Sequence, residues 1–547
     1  MAAEVRLGSM VRVALQGRRI GGWVVGLAET ASTDRPLQPL AKVTGCGPPA
    51  DVVSLARWAA WRWAGRPAQL LGTASPPHAV RALPTVPAST PATPPPVEAL
   101  AEGITVMRIP PAGDVLSVVL AAAHRGDALV LAPSHSAASY LAARLRLEGH
   151  AVALVPQEWA RAAAGGCVAV GARAGAWAPR PKLGAVIVVD EGDEAYQSER
   201  APTWNGRDVA VERARRAGVP CVLTSPCPSL EALGYGPLVV PSRTDERGGW
   251  PIVEVVDRRR EPPGSGLYSS RLVTLARSAT PDARLVCVLN RKGRARLLAC
   301  AACREVVRCE PCGAAVDGVD GGLRCRRCGT TRPAICLACG GTRLATLRVG
   351  VTRAREELEA LANLPVAEIS ADTAAGPPPE GVPVLVGTEA VLHRVAGAGA
   401  VAFLDFDQEL LAPRYRAGET ALAMLARAAR LAGGRSAGGR ILLQTRLPGH
   451  EVIDAAVHAD PSRLAVVEAA RRAALRFPPE TAVAVISGQA AAAFVATLPG
   501  RDGLELLGPA NARWLLRAAD HRTLCDALAA APRPPGRLRI EVDPLRA

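Results

Sequence analysis

Eight cysteines fall within forty residues, as four Cys-x-x-Cys pairs: Cys300/Cys303, Cys309/Cys312, Cys325/Cys328 and Cys336/Cys339. A two-residue gap lets both thiolates of a pair grip one ion from a tight turn. Zinc takes four such ligands in a tetrahedron at about 2.3 Å, so two pairs close one site and eight cysteines imply two. Disulfides and chance clustering are the competing readings. Consecutive Cys-x-x-Cys pairs behind an N-terminus with no charged-then-apolar signal pattern read instead as metal knuckles. Neither site keeps an open ligand position, so both are structural rather than catalytic. Each ion with its four thiolates carries a formal charge of −2, and two of them bring the net +15 to about +11.

The pairing is less determined than the metal. The middle pairs, Cys309/Cys312 and Cys325/Cys328, bracket a short loop with a Gly-rich turn at Asp320-Gly321-Gly322. That loop resembles a zinc ribbon hairpin. The outer pairs, Cys300/Cys303 and Cys336/Cys339, then clasp the base of the insertion.

The elements that must carry this block belong to a chain of 547 residues, enough for several domains. Hydrophobic residues at 49% suffice for buried cores. No apolar run reaches the roughly 18 residues a bilayer span needs, so no membrane partner is expected. The other cysteines (Cys46, Cys167, Cys221, Cys227, Cys287, Cys525) are scattered, which fits a reducing, cytoplasmic protein. A pI near 9.6 points to a polyanion such as nucleic acid, against the alternative of a generally Arg-rich surface. Lysine occurs only at positions 42, 182 and 292.

Residues 1–78 read as a small β-rich domain followed by a helix. Val11, Val13 and Leu15 alternate with polar or small residues, Gln16-Gly17-Arg18-Arg19 turns the chain, and Ile20 to Val25 returns it. Val52 to Trp63 reads as a helix. Its tryptophans Trp58, Trp61 and Trp63 are core by preference, with base stacking as the alternative. Residues 79–100 form a proline-rich linker. From 101, short apolar runs alternate with helical segments, which implies parallel sheets covered on both faces. A first lobe, 101–240, takes strands at Ala128–Leu131, Cys167–Val170, Ala185–Val189 and Val219–Leu223, with a helix at Ala137–Glu148. A second, 241–470, takes strands at Arg284–Leu289, Leu344–Val349, Val382–Val386, Val401–Asp405 and Arg440–Leu443, and the cysteine insertion, 298–342, interrupts it. A C-terminal α+β domain, 471–547, ends in the strand Gly536–Val542.

Asn290-Arg291-Lys292-Gly293 runs directly into the cysteines, and this junction resembles the PriA-type replication restart helicases, also called primosomal protein N-prime. Val188-Val189-Asp190-Glu191-Gly192-Asp193 sits where that family has its Asp-Glu-Glu-His box. Tyr196 through Asp208 resembles its aromatic-rich loop, and Thr224-Ser225-Pro226-Cys227-Pro228 its third helicase motif. Leu404-Asp405-Phe406-Asp407, Tyr415-Arg416-Ala417-Gly418-Glu419 and Leu443-Gln444-Thr445 are similar to its second lobe, and Val542-Asp543-Pro544 to its ending. The resemblance implies an α/β fold: two RecA-like helicase lobes, a two-zinc insertion in the second, an N-terminal β-rich domain for a DNA 3′ end, and a C-terminal α+β domain. It also implies that the chain begins within the family's first domain, as a late start codon would cause, and that the family's winged-helix domain is replaced by the 79–100 linker.

The departures from the family pattern mark an actinobacterial-like degenerate form. A phosphate loop needs glycines whose N–H groups wrap phosphate, a lysine, and Ser/Thr for Mg²⁺. The corresponding stretch is Ile109-Pro110-Pro111-Ala112-Gly113-Asp114, where two prolines remove donors and Asp114 repels phosphate. The family's Gln-x-x-Gly-Arg-x-Gly-Arg motif is here Arg427-Ala428-Ala429-Arg430-Leu431-Ala432-Gly433-Gly434, with both arginines displaced, and Gly387-Thr388-Glu389 lacks the Lys-Gly step that follows in the family. ATP is therefore a doubtful ligand, and Asp190 and Glu191 are expected as a vestigial Mg²⁺ pair at a solvated strand end. Three functions stay open. One is a non-catalytic restart factor that binds stalled, forked or single-stranded DNA, with Tyr196 and Trp204 stacking on bases and Arg207 on phosphate, and promotes primosome assembly and helicase loading. The second is an active ATP-dependent 3′–5′ helicase. The third is a zinc-dependent scaffold for other primosome proteins and an acidic-tailed single-strand DNA-binding protein.

Overall fold

The computed structural model describes residues 5–28, 37–86, 100–262, 266–290, 298–319, 321–325, 327–346, 351–369, 376, 378–498 and 503–546. They divide into two compact units. The first is Met1–Met107, Asp114–Val239 and Arg476–Leu545; the second is Arg108–Gly113, Val240–Leu475 and Arg546–Ala547.

In the first unit, Met10–Leu15 and Arg18–Trp23 form an antiparallel hairpin. The turn is only Gln16-Gly17, both at positive φ (49° and 74°), which suits a two-residue hairpin connection. Arg18 and Arg19, expected in the turn, already belong to the returning strand. Leu40–Gly45 completes a three-stranded sheet. The helix Ala50–Arg62 follows; Trp63, its C-cap, is 1% exposed and Trp61 donates to Asp526 at 2.8 Å. Of the proline stretch expected at 79–100, residues 87–99 lie outside the described set.

The same unit holds a seven-stranded parallel sheet in the order Leu238–Val239, Ile104–Arg108, Cys221–Ser225, Leu183–Val188, Asp127–Leu131, Val168–Gly171, Val152–Val155. Asp127–Leu131, Val168–Gly171 and Cys221–Ser225 are buried at every position, as runs without polar alternation must be when helices cover both faces. The C-terminal residues form a four-stranded antiparallel sheet, Leu504–Ala510, Arg513–Ala518, Ala482–Ser487, Arg539–Val542. Its apolar face shares one core with the helix Ala50–Arg62 and the parallel sheet.

In the second unit a six-stranded parallel sheet runs Ile252–Asp257, Arg440–Thr445, Ala400–Phe403, Leu285–Val288, Val384–Gly387, Val366–Ile369. The run expected as a strand at 344–349 does not join it. Leu344–Thr346 pairs antiparallel with Leu298–Cys300 at the base of the insertion, because the chain must return beside Cys300 to close the outer cluster; residues 347–350 lie outside the described set. Among the described residues, no helix is long and apolar enough to cross a membrane.

Candidate metal centres and binding loops

All four cysteine pairs adopt one local fold. The first cysteine's carbonyl accepts from the N–H four residues on, and its own N–H donates to the carbonyl after that. The bonds are Arg304 N to Cys300 O (2.9 Å), Gly313 N to Cys309 O (2.9 Å), Gly329 N to Cys325 O (3.1 Å) and Gly340 N to Cys336 O (2.8 Å). The residue after each pair has positive φ: Arg304 63°, Gly313 70°, Gly329 78°, Gly340 73°. Glycine takes that conformation without Cβ strain, so the Gly after three of the pairs was an additional legible signal. Arg304 is held there by donating to the carbonyls of Arg259 (2.6 Å) and Glu261 (2.9 Å).

The knuckles bring the thiols together in two groups, Cys300/Cys303/Cys336/Cys339 and Cys309/Cys312/Cys325/Cys328, in each of which all four sulfurs lie within 4.8 Å of one another. The closest cross-pair Sγ–Sγ distances are 3.5 Å (Cys300–Cys339), 3.5 Å (Cys303–Cys336), 3.4 Å (Cys309–Cys328) and 3.5 Å (Cys312–Cys325). A zinc tetrahedron with bonds of about 2.3 Å has edges of about 3.8 Å, whereas a disulfide needs about 2.05 Å. The geometry fits two zinc ions, one per cluster, with the outer and middle pairs combined as the spacing suggested. The N–H groups of Cys303 and Ala302 hold the Cys300 thiol below its ordinary pKa, and donation from Cys312 does the same for Cys325. Their neighbours Cys303, Cys309 and Cys312 shift the other way, so zinc must displace protons from the remaining thiols when it binds.

The middle cluster sits on an antiparallel ribbon, Val316–Val319, Gly322–Cys325 and Thr331–Pro333. Asp320 of its expected turn lies outside the described residues. The ribbon is fastened to the body of the second unit by main-chain contacts. Ala315 N donates to Leu411 O at 3.0 Å. Arg327 donates to the carbonyls of Cys312 (3.0 Å), Arg414 (2.8 Å) and Ala412 (3.4 Å). The junction residues Arg291, Lys292 and Gly293 lie outside the described set.

The stretch compared with a phosphate loop is occupied with itself. In the second unit, Pro110 and Pro111 have no N–H. Ala112 N donates to Gly249 O (3.1 Å) and Gly113 N to Pro110 O (2.8 Å). Arg430 Nε leans on Pro111 O at 3.4 Å, and Arg427 donates to Glu389 at 2.7 Å. In the first unit, the Asp114 carboxylate accepts from both terminal nitrogens of Arg144 (2.8 and 2.6 Å) and from Leu116 N (2.9 Å).

Glu191 departs from the expected solvated strand end. It is 1% exposed because its carboxylate accepts from Ser229 N (2.8 Å), Ser229 Oγ (2.9 Å) and Arg207 Nη1 (3.0 Å). Asp190 beside it turns the chain at φ 50°. Arg207 also donates through Nε to Asp208 at 2.8 Å. Burial alone pulls the Arg207 pKa down, but Asp208 and Glu191 outweigh it and hold the pKa well above the ordinary value. The side chain therefore serves a buried ion network, with no charge turned outward to phosphate. Tyr196 is 0% exposed and donates to Val189 O at 2.7 Å, and Trp204 is 6% exposed. Neither ring offers a free face to a base, while Glu199, Arg200 and Ala201 between them stay exposed.

Trp204 does edge a groove of about 510 Å³ within the first unit, which Ser134, His135, Arg173 and Arg200 also line. Ser134 caps the helix His135–Leu147, whose first turn leaves N–H groups facing out. Arg173 donates to the carbonyls of Ala195 (3.0 Å) and Gln197 (2.6 Å), with its guanidinium 5.7 Å from the Trp204 ring centroid. Sequence reading passed over Ser134, His135 and Arg173. The signal was Ser134 at a cap position directly after the buried strand Asp127–Leu131.

No protein-family model matches the chain. Solved structures that align with it include a DEAD box protein from Methanococcus jannaschii (11% identity, TM-score 0.33, 68% of this chain and 87% of that one) and Dbp5 of S. cerevisiae bound to RNA and ADP BeF3 (11%, 0.38, 69% and 90%). Among curated proteins, the replication restart protein PriA of Treponema pallidum is 30% identical over 345 residues, 57% of this chain and 50% of that protein. PriA of Haemophilus influenzae is 26% identical over 399 residues (66% and 54%), and that of Bacillus subtilis 26% over 378 (62% and 47%). The chain spans about half the length of the curated relatives it matches. By sequence it is similar to the PriA replication restart proteins, at 26–30% identity over about 60% of its length.

Proposed function

We propose that this chain is a replication restart protein that binds forked or single-stranded DNA and supports primosome assembly and loading of the replicative helicase, without helicase activity of its own. The similarity to PriA proteins supports the first part. The observation that carries the second is the 109–114 stretch, where the N–H groups of Ala112 and Gly113 are already spent on Gly249 and Pro110 and two prolines supply none. A phosphate arriving there meets few free donors, no lysine within the stretch, and the Asp114 carboxylate. The zinc clusters, in contrast, retain every ligand. Calorimetric titration of the zinc-loaded chain with a non-hydrolysable ATP analogue is expected to give no saturable heat, and DNA to stimulate no phosphate release. Saturable analogue binding together with DNA-stimulated phosphate release would instead make the chain a working helicase.

Affinity for DNA then rests on arginine and helix-end contacts to phosphate, and the groove beside Trp204 is the surface proposed for them. In fluorescence anisotropy on a labelled fork, affinity is expected to fall by about tenfold or more between about 50 and about 200 mM salt. Arg200→Ala should weaken binding and flatten that salt slope by about one unit. A fork affinity indifferent to salt and to Arg200 would remove this groove from consideration.

A further inference from the structure

A second cavity of the first unit, about 780 Å³, shares no lining residue with the groove beside Trp204. Its volume is in the range of small-molecule sites. Its walls are of two kinds. One is apolar, made by Leu55, Leu83, Trp159 and Leu183; the other carries Arg180 and Arg213, with Arg6 and Arg216 also lining the space. Among the described residues of the lining, the one carboxylate is Asp51.

The two central arginines are almost wholly enclosed, at 3% and 4% exposure. Most of their donors are used. Arg180 donates to Ala162 O at 3.2 Å and to Cys167 O, and pairs with Asp127 at 3.0 Å. Arg213 donates to Ala178 O (2.6 Å) and Ala176 O (3.0 Å). Yet Arg180 Nε and Arg213 Nη2 are buried and find no hydrogen-bond acceptor among the described residues. The Asp51 carboxylate stands 3.8 Å from Arg213 Nη2, beyond hydrogen-bond reach. A buried N–H without an acceptor is costly, and two on neighbouring cations are costlier. Burial pulls the Arg213 pKa down to about 10; Asp51 opposes the shift without cancelling it, and Arg180 adds to it. Among the described residues, the arginines of this site outnumber the carboxylates that face them.

We propose that this cavity binds a small organic anion, a phosphate or carboxylate group taken by Arg180 and Arg213 with an apolar body against Leu55, Leu83 and Trp159. The acidic group supplies the missing acceptors, and the apolar wall pays for the body by excluding water. A bare inorganic ion would leave that wall unfilled, so it is the weaker ligand.

The probe is 8-anilinonaphthalene-1-sulfonate, which joins one anionic group to an aromatic body. Titrated into the zinc-loaded full chain, it is expected to bind saturably. Adenosine monophosphate displaces it if the natural ligand is an aromatic phosphate, and decanoate if it is an alkyl carboxylate. Inorganic phosphate is expected to displace it at least about tenfold less well than the better of the two. Arg213→Gln should weaken the probe by about tenfold. Since Arg213 also ties down two carbonyls, Leu27→Asp/Leu83→Asp provides the second variant: Leu27 (63% exposed) and Leu83 (36% exposed) line the cavity from its exposed side, and carboxylates there repel the anion without touching the core. It should bind the probe at least about tenfold more weakly with its melting temperature and zinc content unchanged. Absence of saturable binding, failure of both organic competitors, or equal affinity in the folded Leu27→Asp/Leu83→Asp variant overturns the proposal. Neither DNA binding nor nucleotide binding at 109–114 enters these readouts.

Discussion

Cys325→Ser is expected to lower the zinc content from two ions per chain to one and to unfold the ribbon between Val316 and Pro333. Cys325 is 1% exposed, its sulfur lies against Cys312 at 3.5 Å, and its main chain shapes the knuckle with Gly329 and Thr330. The apolar support for this ribbon is thin: Val307, Ala314, Val316 and Leu323 make up most of its core beside the cysteines themselves. So small a core cannot fold alone, and the metal must supply the difference. In modules of this kind, metal binding and folding are one equilibrium worth about 10–16 kcal/mol at neutral pH. Loss of one of four ligands should therefore register as a lost unfolding transition and a halved metal content. Cys227→Ser, outside both clusters, is the control and should keep two ions. A strong chelator should reproduce the effect in both clusters, more readily as pH falls, because protons compete with zinc for the thiolates. If the Cys325→Ser chain still carries two zinc ions and melts as the parent does, the tetrathiolate assignment is wrong. The Arg327 contacts to the carbonyls of Ala412 and Arg414 predict that the damage also loosens the 411–414 loop.

The second large effect is expected at Glu191. Replacing it with alanine removes the acceptor for Arg207 and for the Ser229 N–H and hydroxyl, all of which remain buried. Removing one partner of an enclosed ion pair costs about 3–5 kcal/mol, because the other charge is stranded. Asp208, which still accepts from Arg207 Nε, keeps the loss toward the lower figure. The measurement is thermal and chaotrope unfolding of the Glu191→Ala chain, with Arg207→Met/Glu191→Leu as the matched apolar pair. The single variant should be clearly destabilised and the double variant less so: it strands neither Arg207 nor Glu191, and Asp208, which loses Arg207, keeps the Tyr235 hydroxyl and the nearby charge of Arg62. A Glu191→Ala chain that keeps its full stability but loses a Mg²⁺-dependent nucleotide signal would return Glu191 to a metal-holding role.

What could be read in the residues differed by element for physical reasons. The two parallel sheets were legible because fully buried strands such as Asp127–Leu131 and Val384–Gly387 leave uninterrupted apolar runs. The zinc clusters were legible because ligand spacing is a local property. Ile252–Asp257 and Val366–Ile369 were not anticipated: they are the two edge strands of their sheet, half-exposed at several positions, and carry polar residues inside the run. Leu344–Thr346 looked like one more parallel strand, since three apolar-leaning residues do not disclose which partner they will pair with. The aromatic loop was the least transparent. Tyr196, Trp204 and Arg207 have the residue types of a nucleic-acid surface, and only the fold shows that Val189, Glu191 and Asp208 draw two of them inward.

The first unit is assembled from Met1–Met107, Asp114–Val239 and Arg476–Leu545, with more than two hundred residues of the second unit threaded before the last of these. Its core joins Val53 and Leu55 to Ile540 and Val542. On a ribosome, the early segments thus emerge long before the strand that completes them. The second unit, nearly all of it the continuous stretch Val240–Leu475, can close soon after those residues leave the exit tunnel, while the first must wait with apolar surface uncovered until Arg476–Leu545 has been made. Chaperone demand during synthesis should fall on the segments of the first unit that precede Val240, and a message broken shortly before the codon for Ile540 should yield a polypeptide whose zinc-bearing part is native and whose first unit is not.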